Sequence, residues 1–159
     1  MAETDLDDTN IRIPEALQRD AGLTNVELAA RVHLSPSPCL ARVRAMEQSG
    51  LIKQRVTLLN AQKLGLNVSV FIHISLDQQA RARLDAFESA IRAVPNVMEC
   101  YLMTGDADYL IRAVVADVQA VERLIVGDIT RIPGVASIRS SFALKQVTYD
   151  TALPLRNRR

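Results

Sequence analysis

Two cysteines and two histidines are all that this 159-residue chain offers a soft metal. Cys39 and Cys100 stand 61 positions apart, and His33 and His73 are isolated. No CxxC, HxxxH or HxH spacing exists, which argues against a zinc or iron–sulfur site within one chain. Both cysteines read as small buried hydrophobes. Glycine is scarce, with six residues, and tryptophan is absent. No GxSxG, GxGxxG, GxxxxGKS or GxxxxGKT occurs, so nothing supports a triad hydrolase, a Rossmann oxidoreductase or a P-loop enzyme. No catalytic residue, metal or cofactor is expected. Long apolar runs are missing too. The longest uncharged stretch, Leu64 to Leu76, is short of the roughly 20 residues of a membrane span, and it contains Asn67, Ser69, His73 and Ser75. The start, Met1 to Asp8, is acidic and lacks the basic and apolar regions of a signal peptide. The expectation is a cytoplasmic protein without membrane contact.

No charge of one sign dominates either: 19 Lys and Arg face 18 Asp and Glu. The apolar share of 48% and charged share of 23% are those of an ordinary globular protein. The length allows one domain or two small ones. Periodicity favours two, because it changes near residue 60. Apolar residues recur at helical spacing up to Gly50, whereas alternation sets in from Leu66. The expected organisation is a helical domain over 1–52, a wing or linker strand over 53–66, and an α+β domain over 67–159. The run Ile52 to Leu59 is the strand-like part of the linker.

In the first half, Ile11, Ile13, Ala16 and Leu17 give one face of a short helix. Thr24-Asn25-Val26-Glu27 has the form of a capping box and opens a helix with Val26, Leu28, Ala29 and Val32 apolar. That helix stops at His33-Leu34. Ser35-Pro36-Ser37-Pro38 then starts another, with Ser as N-cap and Pro in the first turn, and Ser49-Gly50 closes it. Two short helices so joined predict a helix-turn-helix. Leu40, Val43 and Met46 form the expected buried stripe. Ser37, Pro38, Ala41, Arg42, Arg44 and Ala45 are left outward, where Arg42 could reach phosphate or a guanine edge. Residues 24–57 carry five bases against Glu27 and Glu47, a net of +3 that overall neutrality conceals. Charge and periodicity leave open both a DNA-binding face and a solvated helical bundle.

The second half predicts β-α-β-β-α-β. Val68, Val70, Ile72, Ile74 and Leu76 alternate with polar residues and Phe71. A helix over 80–93 buries Leu84, Phe87 and Ile91. Strands over 97–104 and 109–115 flank the turn Gly105-Asp106-Ala107-Asp108. Asp117 caps a helix with Val118, Val121, Leu124, Ile125 and Ile129, and a last strand runs from Val135 to about Tyr149. This order is that of a ferredoxin-like sandwich, with one sheet face left open. The sheet lacks an RNP-like pattern of aromatic and basic residues, which argues against RNA binding. Asp106 and Asp108 could pair with an ammonium group while backbone donors take a carboxylate, or they could merely bond their own backbone.

Together the two halves resemble the Lrp/AsnC (feast/famine) family of regulators. Leu23 to Ala29 and Leu34 to Val43 resemble the family's helix-turn-helix, and Gly50-Leu51-Ile52 its entry to the wing. Thr104-Gly105-Asp106-Ala107-Asp108-Tyr109-Leu110 resembles its GDxDYL turn, and Pro133-Gly134-Val135 the entry to its last strand. The resemblance covers roughly residues 5–155. It implies a DNA-binding transcriptional regulator whose C-terminal domain binds a small effector, usually an amino acid, and assembles into dimers and often octamers. Two copies would read a pseudo-palindromic operator in double-stranded DNA. The match implies that Thr24, Asn25, Ser35, Ser37, Pro38, Arg42 and Arg44 present the DNA-facing surface, with Lys53 and Arg55 on the backbone. It implies an effector pocket at Leu102, Met103, Thr104, Gly105, Asp106 and Asp108, with Ser141 and Phe142 opposite. Three features depart from the family: Leu6-Asp7-Asp8-Thr9-Asn10 replaces its L-D-x-x-D, Pro14 sits inside the first helix, and Gly22 stands where an arginine is usual. The competing reading is an amino-acid-binding metabolic module without a DNA role. The basic tail Arg156-Asn157-Arg158-Arg159 reads as solvated, with some capacity for phosphate attraction.

Overall fold

The computed structural model describes residues 8–155; Leu6 and Asp7 at the expected helix start and the tail Arg156 to Arg159 lie outside them. Its first helix, α1, spans Asp8–Arg19 and runs on through Pro14. Pro14 removes one i→i−4 bond, but Ile13, Ala16 and Leu17 beside it are buried and hold the helix by packing. Helix α2 spans Asn25–Val32 and α3 spans Pro36–Gln48. The capping box forms as expected: the Thr24 hydroxyl accepts from the Glu27 amide at 3.3 Å, and Glu27 Oε2 accepts from the Thr24 amide at 2.8 Å. Those bonds hold the Glu27 carboxyl below its ordinary range. His33 ends α2 in the left-handed region at φ 60°, and the Leu34 amide reaches back to the Ala29 carbonyl at 2.9 Å. Gly22 takes no part in a helix; its amide donates to Asp20 Oδ1 at 3.0 Å.

Two expected core positions change places. Leu40 is 36% exposed and Val26 is 65% exposed, whereas Cys39 is fully buried. The buried stripe of α3 is Cys39, Val43 and Met46, at spacings of four and three. The thiol takes the buried place in the core that α3 shares with α1 and α2, as expected of a small buried cysteine, where the stripe was expected to hold the neighbouring Leu40.

The expected wing strand does not form. Residues 53–60 are exposed and carry no regular secondary structure, followed by a 3₁₀ turn at Gln62–Leu64. Val56 and Thr57 have strand propensity, but among the described residues no strand offers this run a ladder, and an unpaired strand has no hydrogen bonds to gain.

Strand β1 spans Val68–Leu76, followed by helix α4 (Arg81–Ile91), β2 (Val97–Leu102) and β3 (Tyr109–Val115). Helix α5 (Val118–Glu122) continues through a π turn at Arg123–Asp128 and a 3₁₀ turn at Ile129–Arg131 into β4, Val135–Phe142. The antiparallel sheet has the order β2-β3-β1-β4, the ferredoxin-like arrangement. Val70, Ile72, Ile74, Ile111 and Ala113 face a core closed by Phe87, Ile91, Val121, Leu124 and Ile129. Val118, the first residue of α5 after the Asp117 cap, is 59% exposed rather than buried. The last strand stops at Phe142 instead of reaching Tyr149. Phe142 pairs with Val70, near the start of β1, so little of β1 is left to pair with.

The chain divides into two compact units. One runs through Leu58 and takes the chain up again at Thr148; the other spans Leu59–Val147. By their packing, the residues after Val147 group with the helical unit. Among the described residues no helix is long and apolar enough to cross a membrane.

Candidate DNA-binding helix and effector turn

Helix α3 presents a face made of small and polar side chains. Ser37, Ala41, Arg44, Ala45 and Gln48 are all exposed and recur at spacings of three and four, opposite the buried stripe. Short side chains toward the helix start let a backbone approach a groove closely, and Arg44 adds a long cation beside them. Ser35 caps the helix N-terminus by its backbone conformation, with no side-chain cap bond, and a proline follows in the first turn. Ser35 and Pro38 are exposed. Gln48 belongs to this face and was not among the expected contacts; continuing the 37–41–44 spacing by four would have found it.

The other expected DNA contacts have different surroundings. Arg42 is half-buried and turned toward α1, where it donates to Asn10 Oδ1 at 2.6 Å. It sits between the outward and inward faces, two positions and about 200° from Arg44. Asn25 is half-buried, and its amide donates to the Pro36 carbonyl at 2.8 Å, tying α2 to the start of α3. The Thr24 hydroxyl serves the capping box. Arg55 forms an exposed ion pair with Glu47 at 3.1 Å, while Lys53 is exposed. Of the arginines named for DNA, Arg44 is therefore the one displayed outward on α3.

The second site is the turn between β2 and β3. Leu102, Met103, Thr104, Gly105 and Asp106 are exposed, and Ala107 is buried. Gly105 has φ +118°, a conformation that other residues rarely adopt. Met103 donates its amide to the Asp108 carbonyl at 2.8 Å, and the Asp108 amide donates to the Ile74 carbonyl at 2.9 Å. Both carboxylate oxygens of Asp108 are also engaged: Oδ2 accepts from the Leu76 amide and Oδ1 from the Gln79 side chain, each at 2.7 Å. Asp108 thus fastens the turn to the end of β1, which leaves Asp106 as the aspartate displayed to solvent.

Ser141 and Phe142 are not brought to this turn within one chain. The turn lies level with Ile74 and Ile138, whereas Ser141 and Phe142 pair with Phe71 and Val70, roughly 10–13 Å further along the strands. As strand neighbours they also point to opposite faces. Ser141 lies on the open face and Phe142 on the helix-covered face.

That open face carries two cross-strand rows. Tyr101, Leu110, His73 and Arg139 form one; Glu99, Arg112, Phe71 and Ser141 form the other. Arg112 holds Glu99 by two contacts at 2.7 and 2.8 Å and keeps its carboxyl below the ordinary range. Tyr101 donates to the same carboxylate at 2.9 Å, which raises its phenol pKa.

A capped helix-turn-helix joined to a ferredoxin-like unit defines a DNA-binding regulator with a separate sensing unit. Comparison with known proteins agrees. Residues 69–153 match the Lrp/AsnC ligand binding domain, and residues 6–53 match a winged helix-turn-helix DNA-binding domain. The Bkd operon transcriptional regulator of Pseudomonas aeruginosa is 43% identical over 98% of this chain and 100% of its own length. The leucine-responsive regulatory protein of Escherichia coli is 36% identical over 97% of this chain and 94% of its own. The crystal structure of a Neisseria meningitidis transcriptional regulator in complex with L-methionine matches with a TM-score of 0.90 at 38% identity, covering 95% of this chain and 97% of that one. A feast or famine regulatory protein of Mycobacterium tuberculosis, also complexed with L-methionine, matches with a TM-score of 0.84 at 27% identity, covering 93% and 98%. The chain belongs to the Lrp/AsnC family of transcriptional regulators.

Proposed function

We propose that this protein is a cytoplasmic regulator whose binding to a pseudo-palindromic operator is modulated by an amino acid. The observation that carries the DNA half is the outward face of α3: Ser37, Ala41, Arg44 and Gln48 form one exposed row on a helix seated by Cys39, Val43 and Met46. Such a row suits the major groove, with Arg44 directed to a base edge or a phosphate and Ser35 and Ser37 at the helix start. Lys53 lies outside the helix and adds backbone attraction.

The sensing half rests on Gly105 and Asp106, exposed beside Leu102 and Met103. A carboxylate can pair with an ammonium group, and apolar neighbours suit an aliphatic side chain. Two similar structures hold L-methionine, which supports an amino acid as the ligand class. A single chain leaves Ser141 and Phe142 away from the turn, so a second copy must supply any opposite wall. The open sheet face, with Phe71 and Tyr101 exposed, supports a homodimer that can assemble further into tetramers or octamers.

An electrophoretic shift with DNA from upstream of the protein's own gene, repeated with each common amino acid, tests this reading. Retardation that one amino acid changes is expected. An amino acid bound by a protein with no affinity for any such DNA would favour the metabolic module instead.

A further inference from the structure

The segment after β4 does more than end the chain. Residues 143–147 are exposed, and from Thr148 the chain groups with the helical unit. There one side chain of α1 meets it twice. Gln18 Nε2 donates to the Leu153 carbonyl at 3.2 Å, and Gln18 Oε1 accepts from the Leu153 amide at 2.6 Å. These are the two backbone groups that a neighbouring strand would take, so Gln18 acts as a one-residue strand and fixes the segment's position along α1.

The segment is shaped for this docking. Asp150 Oδ1 accepts from the Ala152 amide at 2.8 Å, a local turn just before Leu153. Pro154 has no N–H to leave unpaired beside the clamp. Ala152 and Leu155 are half-buried, whereas the Leu153 side chain is 70% exposed. Leu153 is therefore held by its backbone rather than its side chain. Glu15, Gln18 and Arg19 on one side and Asp150 with residues 152–155 on the other line a cleft of ≈ 550 Å³.

We infer that residues 148–155 are a strap that clamps α1 and gives the sensing unit a second mechanical connection to the helix-turn-helix. The chain crosses between the units after Leu58 and again after Val147. The second crossing follows directly from β4, which carries Ser141 and Phe142, and ends on the helix whose Ile13, Ala16 and Leu17 pack with the core of α2 and α3. A ligand that shifts β4 pulls on α1 through the strap. This transmission rests on the effector reading above; the docking itself does not.

Amide hydrogen exchange on the full chain tests the docking. In wild type the Leu153 amide should be protected. Gln18→Ala, and separately Leu153→Pro, should cost about tenfold in protection at residues 148–155 and in the last turn of α1. Leu153→Ala keeps both backbone bonds and should match wild type. An unprotected Leu153 amide in wild type, or unchanged α1 protection in Gln18→Ala, would overturn the strap. For the transmission, DNA affinity is measured with and without L-methionine and the other common amino acids. The amino-acid response of wild type should shrink at least severalfold in Gln18→Ala, with affinity in the absence of ligand within about twofold. A full response in Gln18→Ala would overturn the transmission. A wild type that responds to no amino acid would overturn the effector reading and the transmission with it, while the exchange result still decides the docking.

Discussion

Arg42 and Arg44 are two residues apart, yet they have different tasks. Arg44 is exposed on the outward row of α3, whereas Arg42 donates to Asn10 on α1. Arg44→Ala should weaken operator binding by about 1–3 kcal/mol if it reads a base, or lower the salt slope by about one if it meets a phosphate. Arg42→Ala should instead lower the stability of the helical unit by about 1 kcal/mol, measured by urea unfolding. The two aspartates of the turn divide in the same way. Asp108→Asn places an NH₂ against one of two donors, and should cost about 1–3 kcal/mol in stability. Asp106→Asn should leave stability unchanged and weaken the best amino acid roughly tenfold in calorimetric titration, the effect of losing about 1.4 kcal/mol. The sequence showed that an arginine-bearing helix and an acidic turn exist. It could not show which arginine and which aspartate are occupied, because that depends on Asn10 and Gln79, at separations of 32 and 29 residues.

Within the sensing unit, one phenol ties an element boundary to pH. Tyr109 opens β3, is 1% exposed and stacks on Phe87 of α4 with ring centroids 4.5 Å apart. Burial first, and then the Glu88 carboxylate that accepts its hydroxyl at 3.2 Å, push its pKa up to about 12. A raised folded-state value means that the fold favours the neutral phenol. This contribution is intact below about pH 10, the unfolded value, and is lost as pH rises toward about 12. Ultraviolet titration should show Tyr101 delayed by its bond to Glu99 and a late phenol near pH 12 that Tyr109→Phe removes. Gly134 fixes another boundary. Its φ is +95°, and an added Cβ would run into the Arg83 side chain, which pairs with Asp77 at 3.3 Å. Gly134→Ala should lower stability by about 1–2 kcal/mol in thermal unfolding. Elements were legible where periodicity and caps agree, as in the capping box of Thr24 and the alternation of β1. They were misread where partners decide, since the run after Ile52 finds no ladder and β4 ends where β1 begins.

At the scale of the whole molecule, two units divide reading and sensing, and the chain passes between them twice. The family could be seen in the motifs of both halves. The return of the C-terminal segment to the helical unit could not, because backbone groups of Leu153 make that contact and leave no pattern of side chains. The direct test of the whole account is fluorescence anisotropy on DNA from upstream of the protein's own gene. Wild type and Arg44→Ala would be titrated between about 50 and about 200 mM salt, with and without the amino acid that most raises thermal stability. The account predicts that wild type binds with a steep salt dependence, that Arg44→Ala binds more weakly, and that the amino acid shifts wild-type affinity. Equal affinity of both proteins for operator and unrelated DNA, unmoved by any amino acid, would contradict it.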